Sequence, residues 1–210
     1  MIIKWNMAFY EPRSIMENLN LDRKKEIEAQ VKELLKDFDY RSSPYVDIVS
    51  IVRKDGFIVE PKDMDINTTG CLFIDNSDES NIRRNIWVNT RFKNPDNEAD
   101  IVFKKSRFIT AHEYGHFILH NSISAHRDTD HRTDEIELEA DYFARSILMP
   151  FNYFKTCYNL LMDFGKNDEE YVINILTKFF KVTKNKVRKR IKDIEEIQEL
   201  KELEGVPVLD

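Results

Sequence analysis

Three histidines recur at four-residue intervals in the stretch RFITAHEYGHFILH, residues 107–120, and a glutamate follows the first of them. His112, Glu113 and His116 form an HExxH pattern. On a helix, residues four apart lie on one face, about one turn along the axis. Two imidazoles so placed can both reach one zinc ion at about 2.0–2.1 Å. Glu113 is rotated about 100° from His112, so it points beside the metal rather than at it. There its carboxylate can accept a proton from an attacking water and later deliver it to a leaving amine. The chemistry on offer is hydrolysis of a peptide bond. The competing reading is a core helix whose histidines are simply hydrogen-bonded. Apolar Phe108, Ile109, Phe117, Ile118 and Leu119 flank the motif, so the helix is substantially buried. Without a metal, Glu113 and two histidines would leave several buried polar groups needing partners.

A hydrolytic site needs a third protein ligand. His120 cannot serve, because it lies about 12 Å beyond His112 on the same helix. It reads as a helix-end residue facing the last carbonyls. The segment DEIELEADYFARSILMP, residues 134–150, offers several carboxylates. Ala140, Phe143, Ala144, Ile147 and Leu148 mark its buried stripe. Glu137 sits at the edge of that stripe, in line with Asp141. Glu139 is rotated about 200° from Glu137 and faces away with Glu135 and Ser146, as a solvated acidic face would. Glu137 therefore fits as third ligand, and Asp141 as acceptor for the free N–H of a ligand histidine. Three protein ligands leave the coordination open, as catalysis requires. His126 and His131, in the polar connection NSISAHRDTDHRTD, are alternatives as ligands or substrate-binding groups, although solvated loop histidines are the plainer reading. No transition-state donor stands out. Tyr114 points about 200° from His112, which leaves His126, His131 and Arg84 as the candidates.

The elements that must hold these groups are readable around them. Residues 21–38 put Ile27, Val31, Leu34, Leu35 and Phe38 at helical spacing, with Asn20 as N-cap. A short helix follows and ends near Gly56. FIVEP (57–61), CLFID (71–75) and NIWVN (85–89) read as strands, with Gly70 where a strand could start. RFKNPDNEAD (91–100) reads as a loop. Helices are expected at 106–120, 134–149, 151–163, 169–180 and 184–203. The fold class is α+β: a small, mostly antiparallel sheet on a helical zincin-like core. Residues 1–150 would form that core, and residues 151–210 a helical, helix-turn-helix-like part packed on it.

Composition bounds the function. The 210 residues carry a formal charge of −6, with 41% hydrophobic and 33% charged residues, an ordinary globular balance that argues against a generic nucleic-acid binder. Cys71 and Cys157 are too few and too far apart for a disulfide framework, so a reduced, cytoplasmic protein is expected. No run approaches the roughly 20 apolar residues of a membrane span, and the first residues lack a signal-peptide pattern.

RFITAHEYGHFILH followed by ELEADYFARSILMP resembles the ImmA/IrrE metallopeptidases. DGFIVE, TTGCLFID and NIWVN resemble the small sheet ahead of that family's motif helix. LTKFFKVTKNKVRKRI resembles its helix-turn-helix-like tail. The departure is Asp141, where asparagine is common in the family, and the resulting ExxxD is closer to the gluzincin peptidases. The resemblance implies zinc, or manganese instead, at His112, His116 and Glu137, with Glu113 as general base. It also implies a substrate class, a DNA-binding repressor whose cleavage turns on mobile-element, prophage or stress genes.

Two other classes compete. One is a non-cleaving anti-repressor or antitoxin-like binding module. The other is a DNA-binding regulator. From Tyr171 to Lys192 the chain has eight lysines and arginines and no acidic residue, on two helices at helix-turn-helix-like spacing. A packed helical pair with a solvated basic face is favoured over DNA contact, since the next segment turns acidic and the turn lacks a glycine.

Overall fold

The computed structural model of the chain describes residues 2–8, 19–39, 43, 45–65, 67–78, 80–90, 99–120, 130–164 and 168–203. The elements run β1 (Ile2–Ala8), α1 (Leu21–Leu34), α2 (Ile48–Lys54), β2 (Phe57–Lys62), β3 (Thr68–Asp75) and β4 (Arg83–Asn89). They continue with α3 (Ala99–His120), α4 (Asp130–Leu148), α5 (Phe151–Phe164), α6 (Glu169–Phe179) and α7 (Lys184–Leu203). The architecture is α+β, as expected. Contacts group the chain into two units: residues 1–19 with 47–144, and residues 20–46 with 145–210. This is not a linear division at residue 150, because α1 clusters with the C-terminal helices.

The first unit is built on a four-stranded sheet in the order β1-β3-β4-β2. β3 pairs antiparallel with β1 and β4, and β2 joins β4 in parallel. β1 was missed in the sequence, although Ile3, Trp5 and Met7 alternate with Lys4 and Asn6 as a strand requires. β3 is flanked on both edges, which suits its nearly unbroken run of buried residues from Thr69 to Leu72. Leu72 is directly opposite Ile86 in the ladder, and both are buried. Elsewhere on the sheet Phe73 stacks on Trp87 at 4.9 Å, with Lys62 Nζ 3.1 Å from the indole centroid. α2 is started by the Asp47 side chain, which accepts from the Ser50 N–H at 3.3 Å. It is stopped by Gly56 at φ +80°, whose N–H donates to Arg53 O at 3.0 Å.

α3 starts at Ala99, earlier than the expected residue 106, and reaches His120. Every residue from Arg107 to His116 is buried, so this helix has no solvent face along the motif. It meets β3 and β4 on one side and α4 on another, where Tyr114 stacks edge-on to Phe143 with ring centroids 6.0 Å apart.

The second unit buries Ile27 and Val31 of α1, Phe154 of α5, Val172 and Leu176 of α6 and Val187 and Ile191 of α7. Asn20 caps α1 as expected, its Oδ1 accepting from Asp22 N–H at 2.9 Å. Arg190, fully buried, donates to Glu28 at 2.5 Å, Ser146 Oγ at 3.0 Å and Met149 O at 2.9 Å. At the α6–α7 turn, Lys181 takes the left-handed conformation, φ 52°, that glycine usually supplies.

Candidate metal centre

The i, i+4 spacing places His112 and His116 on one face of α3, with their Nε2 atoms 3.1 Å apart. α4 brings Glu137 across from them. Its Oε2 is 3.0 Å from His112 Nε2 and its Oε1 3.3 Å from His116 Nε2. The three ligand atoms lie within 4.8 Å of one another. Both imidazoles are buried, whereas the Glu137 side chain keeps 26% of its exposure, which leaves one side of the cluster approachable. Asp141, one turn further along α4, places Oδ1 3.2 Å from His112 Nδ1.

Two glycines make these approaches possible. A methyl group on Gly115 would stand 3.0 Å from Phe143 Cδ1 and 3.3 Å from the Ala140 α-carbon, so α4 packs here directly against a bare stretch of the α3 backbone. A methyl group on Gly70 of β3 would overlap Ile109 Cγ2 and come within 2.8 Å of Glu113 Oε1. The Glu113 carboxylate thus fits against the strand only because residue 70 has no side chain. Both of its oxygens are buried and make no full hydrogen bond among the described residues; the Leu72 backbone N–H approaches the carboxylate only closely enough to offset a little of the effect of burial. Gly70 was read only as a strand start, and Gly115 was not read at all. Their signal in the sequence was a glycine inside a regular element, which marks close approach by another backbone or group.

The electrostatics follow from burial and pairing. Burial opposes charge on His112, but hydrogen bonds to Asp141 and Glu137 outweigh it and raise its pKa to about 10. Burial lowers His116 to about 4 despite its contact with Glu137. Burial pushes Glu137 upward, yet the two histidines hold it at about 2. Glu113 is pushed up to about 8, chiefly by burial. A dication beside it would favour its anionic form instead. The donor set fits such an ion. With a proton on His112 Nδ1 facing Asp141, the Nε2 lone pairs of both histidines and the Glu137 carboxylate converge on one point. Two nitrogens, one carboxylate and an open side suit a catalytic zinc.

Two expectations are corrected by the surroundings of this cluster. His120 does not face the last carbonyls of its helix. It is buried, with Nδ1 3.2 Å from His116 Nδ1 and Nε2 2.9 Å from Glu139 Oε2. Glu139 is accordingly buried rather than part of a solvated face, while Glu135 is exposed as expected. The error came from sorting residues by the apolar stripe of α4 alone, which ignores what α3 sets beside its other faces.

Of the remaining candidates, Tyr114 and Arg84 are engaged with Asp55. The Tyr114 hydroxyl donates to Asp55 Oδ2 at 2.6 Å, and Arg84 Nη1 donates to Asp55 O at 2.8 Å. His126 and the side chain of His131 lie outside the described residues. In the basic segment Arg190 is buried, and Lys184 and Arg188 both pair with Glu170. Among the described residues no helix is long and apolar enough to cross a membrane.

No curated protein matches the chain. Residues 103–192 match the family model described as Peptidase_M78, IrrE N-terminal-like domain, a span that takes in the HExxH residues of α3 and both acidic residues of α4 that face them. That match, over 90 of the 210 residues, supports an assignment to the ImmA/IrrE family of peptidases.

Proposed function

We propose that the protein is a zinc-dependent endopeptidase that cleaves a protein substrate in the cytoplasm. The observation that carries this reading is the convergence of His112, His116 and Glu137 beside the fully buried carboxylate of Glu113. Zinc, or manganese in its place, would supply Lewis acidity to a water and to the scissile carbonyl. His112, His116 and Glu137 would hold it. Asp141 keeps the proton of His112 on Nδ1 and so frees Nε2. Glu113 accepts the proton of the attacking water on its carboxylate and delivers it to the departing amine nitrogen. Burial of Glu113 suits that role, because an unsolvated carboxylate is a stronger base. A helix-turn-helix repressor is the substrate class, on the strength of the family resemblance, with derepression of mobile-element, prophage or stress genes as the consequence.

The test is bound metal per chain, measured on protein purified without a histidine tag. About one ion is expected in the wild type and in Glu135→Gln, whose side chain is exposed, and none in Glu137→Gln. A wild type that stays metal-free after zinc is added back would end the peptidase reading. Glu113→Gln then separates cleavage from sequestration. It should keep its metal and leave a repressor substrate intact and active. Relief of repression by that variant would mark a binding module instead.

A further inference from the structure

We infer that His120 and Glu139 are positioning residues of the metal centre: together they fix His116 in the tautomer that presents Nε2 to the ion. The inference rests on the metal-centre reading above. The Nε2 atom of His116 faces His112 Nε2 at 3.1 Å and Glu137 Oε1 at 3.3 Å. A histidine ligates through a lone pair, so its proton must sit on the other nitrogen, Nδ1. That nitrogen is 3.2 Å from His120 Nδ1. One of two facing nitrogens must accept, so His120 Nδ1 carries the lone pair and its proton sits on Nε2. The Nε2 atom is 2.9 Å from Glu139 Oε2, and a carboxylate can only accept.

Each link therefore permits one assignment. Glu139 accepts from His120 Nε2–H, His120 Nδ1 accepts from His116 Nδ1–H, and His116 Nε2 is left free for the metal. The reverse order needs a protonated Glu139 or a doubly protonated His120, and either would put the His116 proton where the cation belongs. His120 is 2% exposed and Glu139 8%, so water competes little for either. The two ligand histidines are thus backed in different ways. Asp141 reaches His112 directly, and Glu139 reaches His116 through a third imidazole. Glu137, Glu139 and Asp141 all come from α4, so one helix supplies a ligand and both orienting carboxylates.

The experiment combines zinc affinity, by chelator competition, with long-range 1H–15N spectra of histidine-labelled full-length protein, zinc-loaded and metal-free. In the wild type, His116 should carry its proton on Nδ1 and His120 on Nε2. His120→Phe and Glu139→Ala should each weaken zinc binding by roughly 10–100-fold and blur the single His116 tautomer. His120→Asn, whose Oδ1 can accept from His116 Nδ1–H, should recover part of the loss. Because a large ring replacement can disturb folding, Glu139→Gln gives a milder probe with the same direction of effect. A His116 proton found on Nε2 overturns the inference. So does wild-type affinity in Glu139→Ala and His120→Phe with the His116 spectrum unchanged. Failure of the wild type to bind zinc would instead strike the metal-centre reading, and this inference with it.

Discussion

Gly70→Ala tests whether the site is shaped by the strand behind it as well as by the helix that bears it. Gly70 lies within β3, and its φ is not in the left-handed region, so alanine can adopt the same backbone. On backbone grounds alone the change should stabilise by about 0.5–1 kcal/mol. Against this stands the new methyl, which would overlap Ile109 Cγ2 and press to 2.8 Å from Glu113 Oε1. Ile109 is buried and branched close to its backbone, so it cannot swing away. Overpacking of this kind costs about 3 kcal/mol at the upper end of its usual range. The net expectation is about 2 kcal/mol of destabilisation, a fall of roughly 4–8 °C in Tm for a chain this long. Ile109→Ala removes the obstructing methyl and by itself costs about 2–5 kcal/mol. In the double variant the new methyl enters space the isoleucine left. The double variant should therefore lose less than the sum of the two single losses, by about 1 kcal/mol or more. Thermal and urea unfolding of the four proteins measure the cycle. Zinc affinity of Gly70→Ala should hold, since no ligand sits on β3, while any hydrolysis that needs Glu113 in place should fall about 100-fold for a displacement near 1 Å. An unchanged Tm, or a cycle additive within about 0.5 kcal/mol, would refute the packing argument.

Other perturbations separate the parts of the site. Glu113→Met should stabilise the metal-free protein by about 1–3 kcal/mol, because it removes a buried carboxyl whose oxygens make no full hydrogen bond; a lower Tm in calorimetry would count against that. Asp141→Ala should weaken zinc binding by about 10–100-fold, read by chelator competition, and affinity equal to wild type would remove its orienting role. Arg190→Ala should cost about 3 kcal/mol, because it removes a fully buried guanidinium together with its bonds to the part-buried Glu28 carboxylate, Ser146 Oγ and Met149 O. A shift under about 1 kcal/mol in urea unfolding would contradict the structural role of that arginine.

The central site was legible because its signals are local. His112, Glu113 and His116 follow from helical periodicity within one segment, and Glu137 and Asp141 from the phase of α4 relative to its own apolar stripe. The strands β2, β3 and β4 were legible for a similar reason, since each is a short β-branched or aromatic run between polar turns. What failed were relations between segments. Nothing in the phase of α4 reveals that His120 of α3 waits beside Glu139, so a buried pair was read as a helix end and a solvated face. Nothing in the spacing of α1 tells that it clusters with helices more than a hundred residues away. Gly70 and Gly115 look ordinary in one dimension, because what they permit belongs to the residues opposite them. β1 was the exception, a local alternation that was simply not used.

The buried polar groups of the first unit lead to a last prediction, on metal removal. His112, Glu113, His116, His120 and Glu139 are all buried within two neighbouring helices. Such a cluster costs stability wherever its charges or lone pairs are not matched. The Nε2 atoms of His112 and His116 face each other, and a proton shared between them satisfies only one pair of lone pairs, whereas a dication satisfies both together with Glu137. A ligand that binds only the folded state stabilises it by about 2.7 kcal/mol at a free concentration 100 times its Kd. For this chain length that is about 5–10 °C in Tm. Calorimetry with zinc buffered at that ratio should show the rise in the wild type and in Glu113→Gln, which keeps every ligand, and none in Glu137→Gln. Because the ligands all lie in residues 47–144, hydrogen exchange should slow in α3 and in α4 up to Ala144, with α6 and α7 unchanged. Equal stabilisation of Glu137→Gln, or protection confined to α6 and α7, would place the ion elsewhere and leave HEYGH as part of a core.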